Sequence, residues 1–85
     1  MSTAFNQAVA HANASKGGNK KLNNNQMLEL YGLFKQASVG KNTTSKPGMF
    51  DLKGAAKWDA WNKVSALSKD QAMASYVAKV NQYLK

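Results

Sequence analysis

Two residue pairs in this chain are spaced to meet a phosphorylated ligand. Tyr31 and Lys35 are four positions apart, as are Lys53 and Lys57, so on a helix each pair shares a face. Trp58 and Trp61, three apart, are neighbours on the same grounds. Lysine supplies positive charge and three donors; tyrosine supplies a hydroxyl and a flat ring. Such a set suits a ligand with phosphate at one end and a flat or apolar part at the other. Aromatics at helical spacing equally describe a packed core, and helix-face lysines equally describe a solvated surface. The pattern alone leaves both readings open, with one tryptophan read as core.

Other chemistry is excluded by inventory. Nucleophilic catalysis needs a base beside the nucleophile. The chain has no cysteine and one histidine, His11, read as a surface or partly packed residue. The acids are Glu29, Asp51, Asp59 and Asp70, scattered along a basic chain, which argues against paired carboxylates. The same scarcity excludes a metal site. Gly17-Gly18 lacks the strand-to-helix context of a phosphate loop. The expectation is no catalytic residue, no metal and no cofactor.

The net charge is +8, and all twelve basic residues are lysine. That balance points to an anionic partner: nucleic acid, a membrane surface or a phosphorylated small molecule. The absence of arginine weighs against nucleic acid, whose recognition draws on bidentate guanidinium contacts. No run of 18 apolar residues exists, so no membrane span is expected. Asn6, Gln7, His11 and Asn13 interrupt the N-terminal region, so no secretory signal is read there and a cytoplasmic location is expected. Without such a signal, the sequons at Asn13 and Asn42 are read as chance matches.

The elements that would position the candidate residues are helical. The 85 residues make one domain, 1–85. Phe5, Ala8, Val9 and Ala12 form an apolar stripe, predicting a first helix that ends near Ser15. The Gly-, Asn- and Lys-rich stretch 16–25 reads as a loop. A second helix starts at Asn23 to Asn25 and runs to about Val39, with Gly40 as its stop. Residues 41–50 form a connector turning at Pro47-Gly48. A third helix begins after Asp51 and ends near Val64 to Ala66. Ser68-Lys69-Asp70-Gln71 has the form of a capping box opening a fourth. Strand signals are poor, so the expected fold class is all-α, a four-helix bundle.

Several runs carry a family resemblance. Met27-Leu28-Glu29-Leu30-Tyr31-Gly32-Leu33-Phe34-Lys35-Gln36-Ala37-Ser38-Val39-Gly40 resembles the LYxxYKQATVG signature of acyl-CoA-binding proteins. Lys46-Pro47-Gly48-Met49 resembles that family's R-P-G-M, and Gly54 to Trp61 its G-K-A-K-W-D-A-W. Ser68 to Val80 resembles its last helix. The resemblance covers nearly the whole chain. It implies an up-down-down-up bundle that binds medium- and long-chain fatty acyl-CoA esters, a cytoplasmic carrier and pool former and not an enzyme. It implies Tyr31 and Lys35 at the CoA 3′-phosphate region, Lys57 as another phosphate ligand and Tyr76 beside the adenine. A loop lysine contributes, with Lys21 the positional match and Lys20 its rival. Met27 and Leu28 border the acyl groove, with Ala8, Val9 and Ala56 as further apolar groove residues. A monomer is implied, with acyl-CoA as its partner, transient membrane contact and no nucleic acid.

Departures from the family pattern are Phe34 for its second tyrosine, Ala55 for the first lysine of G-K-A-K, Lys41 for Asp and Lys46 for Arg. They bear on chain preference and affinity. The alternative, resting on charge alone, is a basic helical module for anionic membrane surfaces or nucleic acid.

Overall fold

The computed structural model describes residues 3–15 and 22–84. Four helices follow in order: α1 Thr3–Ser15, α2 Asn24–Ser38, α3 Leu52–Lys63 and α4 Lys69–Tyr83. The starts of α2, α3 and α4 are set by side-chain caps that satisfy the first free backbone N–H groups. Asn23 caps α2, its Oδ1 accepting from the Gln26 N–H at 2.8 Å while Gln26 Oε1 accepts from the Asn23 N–H at 3.0 Å. Ser68 and Gln71 form the same reciprocal box on α4. Asp51 caps α3 by accepting from the Gly54 N–H at 2.9 Å. Gly40, at φ +101°, stops α2 in a conformation that disfavours any side chain.

Side-chain contacts fix the helix directions. Lys57 reaches Tyr31, the Ala60 backbone meets Gly32, and Gln36 donates to Leu67 O at 2.6 Å, so α2 and α3 run parallel. Glu29 pairs with Lys79, and Phe34 lies beside Tyr76, so α4 runs antiparallel to α2. Phe5 stacks on Phe34, while Asn13 and Asn24 line one cavity, so α1 also opposes α2. The order is up-down-down-up, as the resemblance implies. Two parallel consecutive helices need a connector that returns along their length, and residues 39–51 provide it.

That connector is tied to α3 by the tryptophans. Trp61 Nε1 donates to Gly40 O at 2.8 Å, and Trp58 Nε1 to Thr44 O at 3.0 Å. Lys46 adds a 3.2 Å salt bridge to Asp59. Trp61 is the buried one of the two, in line with the reading of one tryptophan as core. Asn42 is also buried, its Oδ1 accepting from the Thr44 N–H and hydroxyl. An amide so engaged holds the turn and is not presented to solvent.

The core is drawn from α1, α2 and α4: Phe5, Leu30, Leu33, Tyr76 and Val80 at its centre, with Leu22 and Leu84 at its edges. Helix α3 joins through α2 alone, at Gly32, where a methyl group would stand 2.7 Å from the Ala60 carbonyl carbon. Helices α1 and α3 do not pack on each other. The space between them is where the candidate site lies.

Candidate functional site

A groove of about 730 Å³ opens between α1 and α3, walled by α2 and floored from α4. Helix α1 contributes Val9, Ala12 and Asn13, and Leu22 follows in the link. Helix α2 contributes Asn24, Met27, Leu28, Leu30, Tyr31 and Phe34. Helix α3 contributes Leu52, Lys53, Ala56 and Lys57, and α4 contributes Tyr76. The i, i+3, i+4 spacing on α2 and α3 aims these side chains at one space. The floor is aromatic: Phe5 stacks on Phe34 with centroids 6.1 Å apart and meets Tyr76 edge-on at 5.2 Å.

The lysines that line the groove both come from α3, opposite Tyr31 of α2. Lys57 Nζ stands 5.4 Å from the centre of the Tyr31 ring. Among the described residues the salt bridges are Lys46–Asp59 and Lys79–Glu29, so Lys53 and Lys57 face the groove without a carboxylate partner. Tyr76 is 4% exposed, and burial pushes its phenol above the ordinary range. The lining is thus mostly apolar, with two lysines and a tyrosine hydroxyl among its polar groups. Such a shape can hold an amphiphile with an anionic head. Among the described residues no group of three or more His, Cys, Asp or Glu is assembled that could hold a metal ion. No described helix is long and apolar enough to cross a membrane.

Seven of the residues singled out from sequence line this groove together: Tyr31, Lys57, Tyr76, Met27, Leu28, Val9 and Ala56. Lys35 does not line it. Its ammonium rests 5.0 Å over the Trp61 ring, because one turn along α2 the same face meets the end of α3. Ala8 does not line it either; it is 6% exposed and belongs to the core, since the α1 stripe is shared between core and groove. Lys21, like Lys20, lies outside the described residues. Lys53, which spacing pairs with Lys57 but the resemblance does not assign to the site, lines it as well. Phe34 and Leu52 were missed. An apolar helix residue gives no sequence sign of whether it faces core or cavity.

In sequence and in fold the chain is similar to known proteins. The family model described as "Acyl CoA binding protein" matches residues 2–80, and the chain belongs to that family. It is similar to Acyl-CoA-binding protein homolog 1 of Caenorhabditis elegans, 48% identical over 84 residues, 99% of this chain and 94% of that protein. The Acyl-CoA-binding protein of Brassica napus is 51% identical over 74 residues, 87% of this chain and 80% of that one. Among solved structures, Oryza sativa Acyl-CoA-Binding Protein 2 superposes with a TM-score of 0.81 at 44% identity, covering 95% of this chain and 88% of that one. The ACBP of Moniliophthora perniciosa gives 0.90 at 41% identity, covering 99% and 81%. The all-α bundle expected from the sequence is the fold of this family.

Proposed function

We propose that this protein binds medium- and long-chain fatty acyl-CoA esters in the α1–α3 groove and serves as an intracellular carrier and pool of them, not as an enzyme. The whole chain is read as one acyl-CoA-binding domain acting as a cytoplasmic monomer, with transient membrane contact. The observation that carries the reading is the groove's construction, an apolar wall joined to a rim with two carboxylate-free lysines, in a chain of this family.

The division of labour follows from magnitudes. Burying a CH₂ is worth about 0.8 kcal/mol. A sixteen-carbon chain thus offers on the order of 10 kcal/mol before ordering costs. The CoA phosphates are met by Lys57, Lys53 and the Tyr31 hydroxyl, with Lys35 adding charge one turn away. Their attraction is screened by salt, so it orients the head and speeds encounter more than it sets affinity. Met27, Leu28, Val9 and Ala56 flank the acyl chain. Tyr76 and Phe34 underlie the flat adenine end. Sequestering the tail lowers the free concentration of a detergent-like metabolite.

The test is a calorimetric titration with palmitoyl-CoA, CoA and palmitate. Palmitoyl-CoA is expected to bind tightly, CoA far more weakly and palmitate negligibly. Equal affinity for CoA and palmitoyl-CoA overturns the groove as the site of the chain.

A further inference from the structure

The end of the α2–α3 connector and the first residue of α3 carry the most exposed large apolar side chains among the described residues. Phe50 is 96% exposed, Met49 80% and Leu52 76%. Single exposed apolar residues are ordinary, but three within four positions form a patch. They are not loosely held. The Asp51 N–H donates to Gly48 O at 3.0 Å, closing a turn with Met49 and Phe50 at its apex. Trp58 and the Lys46–Asp59 pair tie the preceding stretch to α3. The Asp51 carboxylate, between Phe50 and Leu52, is exposed and is engaged as the α3 cap. The fold therefore holds an aromatic and a thioether outward on a braced turn.

This tip is continuous with the groove. Leu52 belongs to both, and Lys53 and Lys57 follow on the same helix at the groove wall. We propose that Met49, Phe50 and Leu52 insert into the headgroup region of an anionic lipid bilayer, holding the mouth of the groove against the membrane. Charge selects this occupant. A second copy of the chain carries the same +8 and is repelled, whereas anionic headgroups attract the lysines beside the tip. Shallow apolar insertion combined with a basic flank is the two-signal arrangement that gives reversible membrane attachment. The purpose of docking, moving an amphiphile between bilayer and groove, rests on the acyl-CoA reading; the docking itself does not.

The test is co-sedimentation of the full chain, without acyl-CoA, with mixed phosphatidylcholine–phosphatidylserine vesicles and with phosphatidylcholine vesicles at low salt. The wild type and Met49→Ser/Phe50→Ser are compared, and palmitoyl-CoA titrations are run on both without vesicles. The wild type is expected to bind the anionic vesicles preferentially. The double variant should lose about a hundredfold or more in partitioning, as loss of two inserted side chains predicts, with circular dichroism and palmitoyl-CoA affinity unchanged. No preference of the wild type for anionic vesicles overturns the proposal, as does equal partitioning of the variant. Weaker palmitoyl-CoA binding by the variant without vesicles assigns the tip to the groove and overturns it. So does concentration-dependent dimerisation of the wild type that the variant abolishes. A wild type that binds vesicles but not palmitoyl-CoA refutes the ligand reading alone.

Discussion

At the scale of single residues, the decisive contact is Tyr31 with Lys57. The Lys57 ammonium over the ring couples α2 to α3 at the groove rim, and in the proposed reading the tyrosine hydroxyl meets a ligand phosphate. A hydrogen bond to a charged acceptor is worth roughly 1.5–3 kcal/mol. Tyr31→Phe is therefore expected to weaken palmitoyl-CoA binding by about tenfold or more. The ring, its packing and the melting temperature should be retained. Unchanged affinity in calorimetry would remove the hydroxyl from the site. Lys57→Ala should weaken binding at low salt, and the loss should shrink as salt rises. Lys63→Ala, on the exposed end of α3 outside the groove, should change little. If both lysine variants cost the same, the attraction is diffuse charge. Because Tyr31 and Lys57 touch, the double variant should be non-additive.

At the scale of elements, α3 is placed by a glycine and two indoles. Only hydrogen at Gly32 lets the α3 backbone come so close to α2. Gly32→Ala gains helix propensity, about 1 kcal/mol by itself. It also forces α3 outward, and overpacking of this kind costs typically about 1–3 kcal/mol. The collision is with backbone that cannot step aside, so the net expectation is destabilisation. For a domain of this size each kcal/mol lowers the melting temperature by about 4–8 °C. The groove should widen as α3 shifts, so a lower melting temperature and weaker palmitoyl-CoA binding are expected together. A melting temperature at or above wild type would show that α3 is not held by this approach.

At the scale of the whole molecule, stability should depend on alkaline pH in a defined direction. Burial raises the Tyr76 pKa above the ordinary value of about 10. Below that value both folded and unfolded states keep the proton, and the contribution is fully present. As pH rises, the unfolded chain ionises first, and stability is lost through the folded-state pKa. Tyr83 and Lys79 are raised first of all by their hydrogen bonds to Glu29, so they act with the same sign, but both are exposed to solvent and their effect is screened. The urea midpoint is expected to fall between about pH 9 and about pH 11, and Tyr76→Phe should flatten that fall. An equal decline in the variant would place the responsible group elsewhere.

The helices and their ends were legible because caps and apolar periodicity are local. Asn23, Asp51, Ser68 with Gln71, and Gly40 stand where the chain alone placed them. The ligand class was legible through ordered runs such as Met27 to Gly40 and Gly54 to Trp61. What each side chain of those runs faces was not. Trp58 and Trp61 look like a stacking platform in sequence, yet their indoles clamp the connector. Lys35 shares the spacing of Tyr31 but lies over Trp61, and Ala8 went to the core. Periodicity tells which residues share a helix face. Whether that face meets a core, a cavity or solvent depends on the neighbouring helix, which for α3 is placed by the close approach at Gly32 and the two indole bonds to the connector.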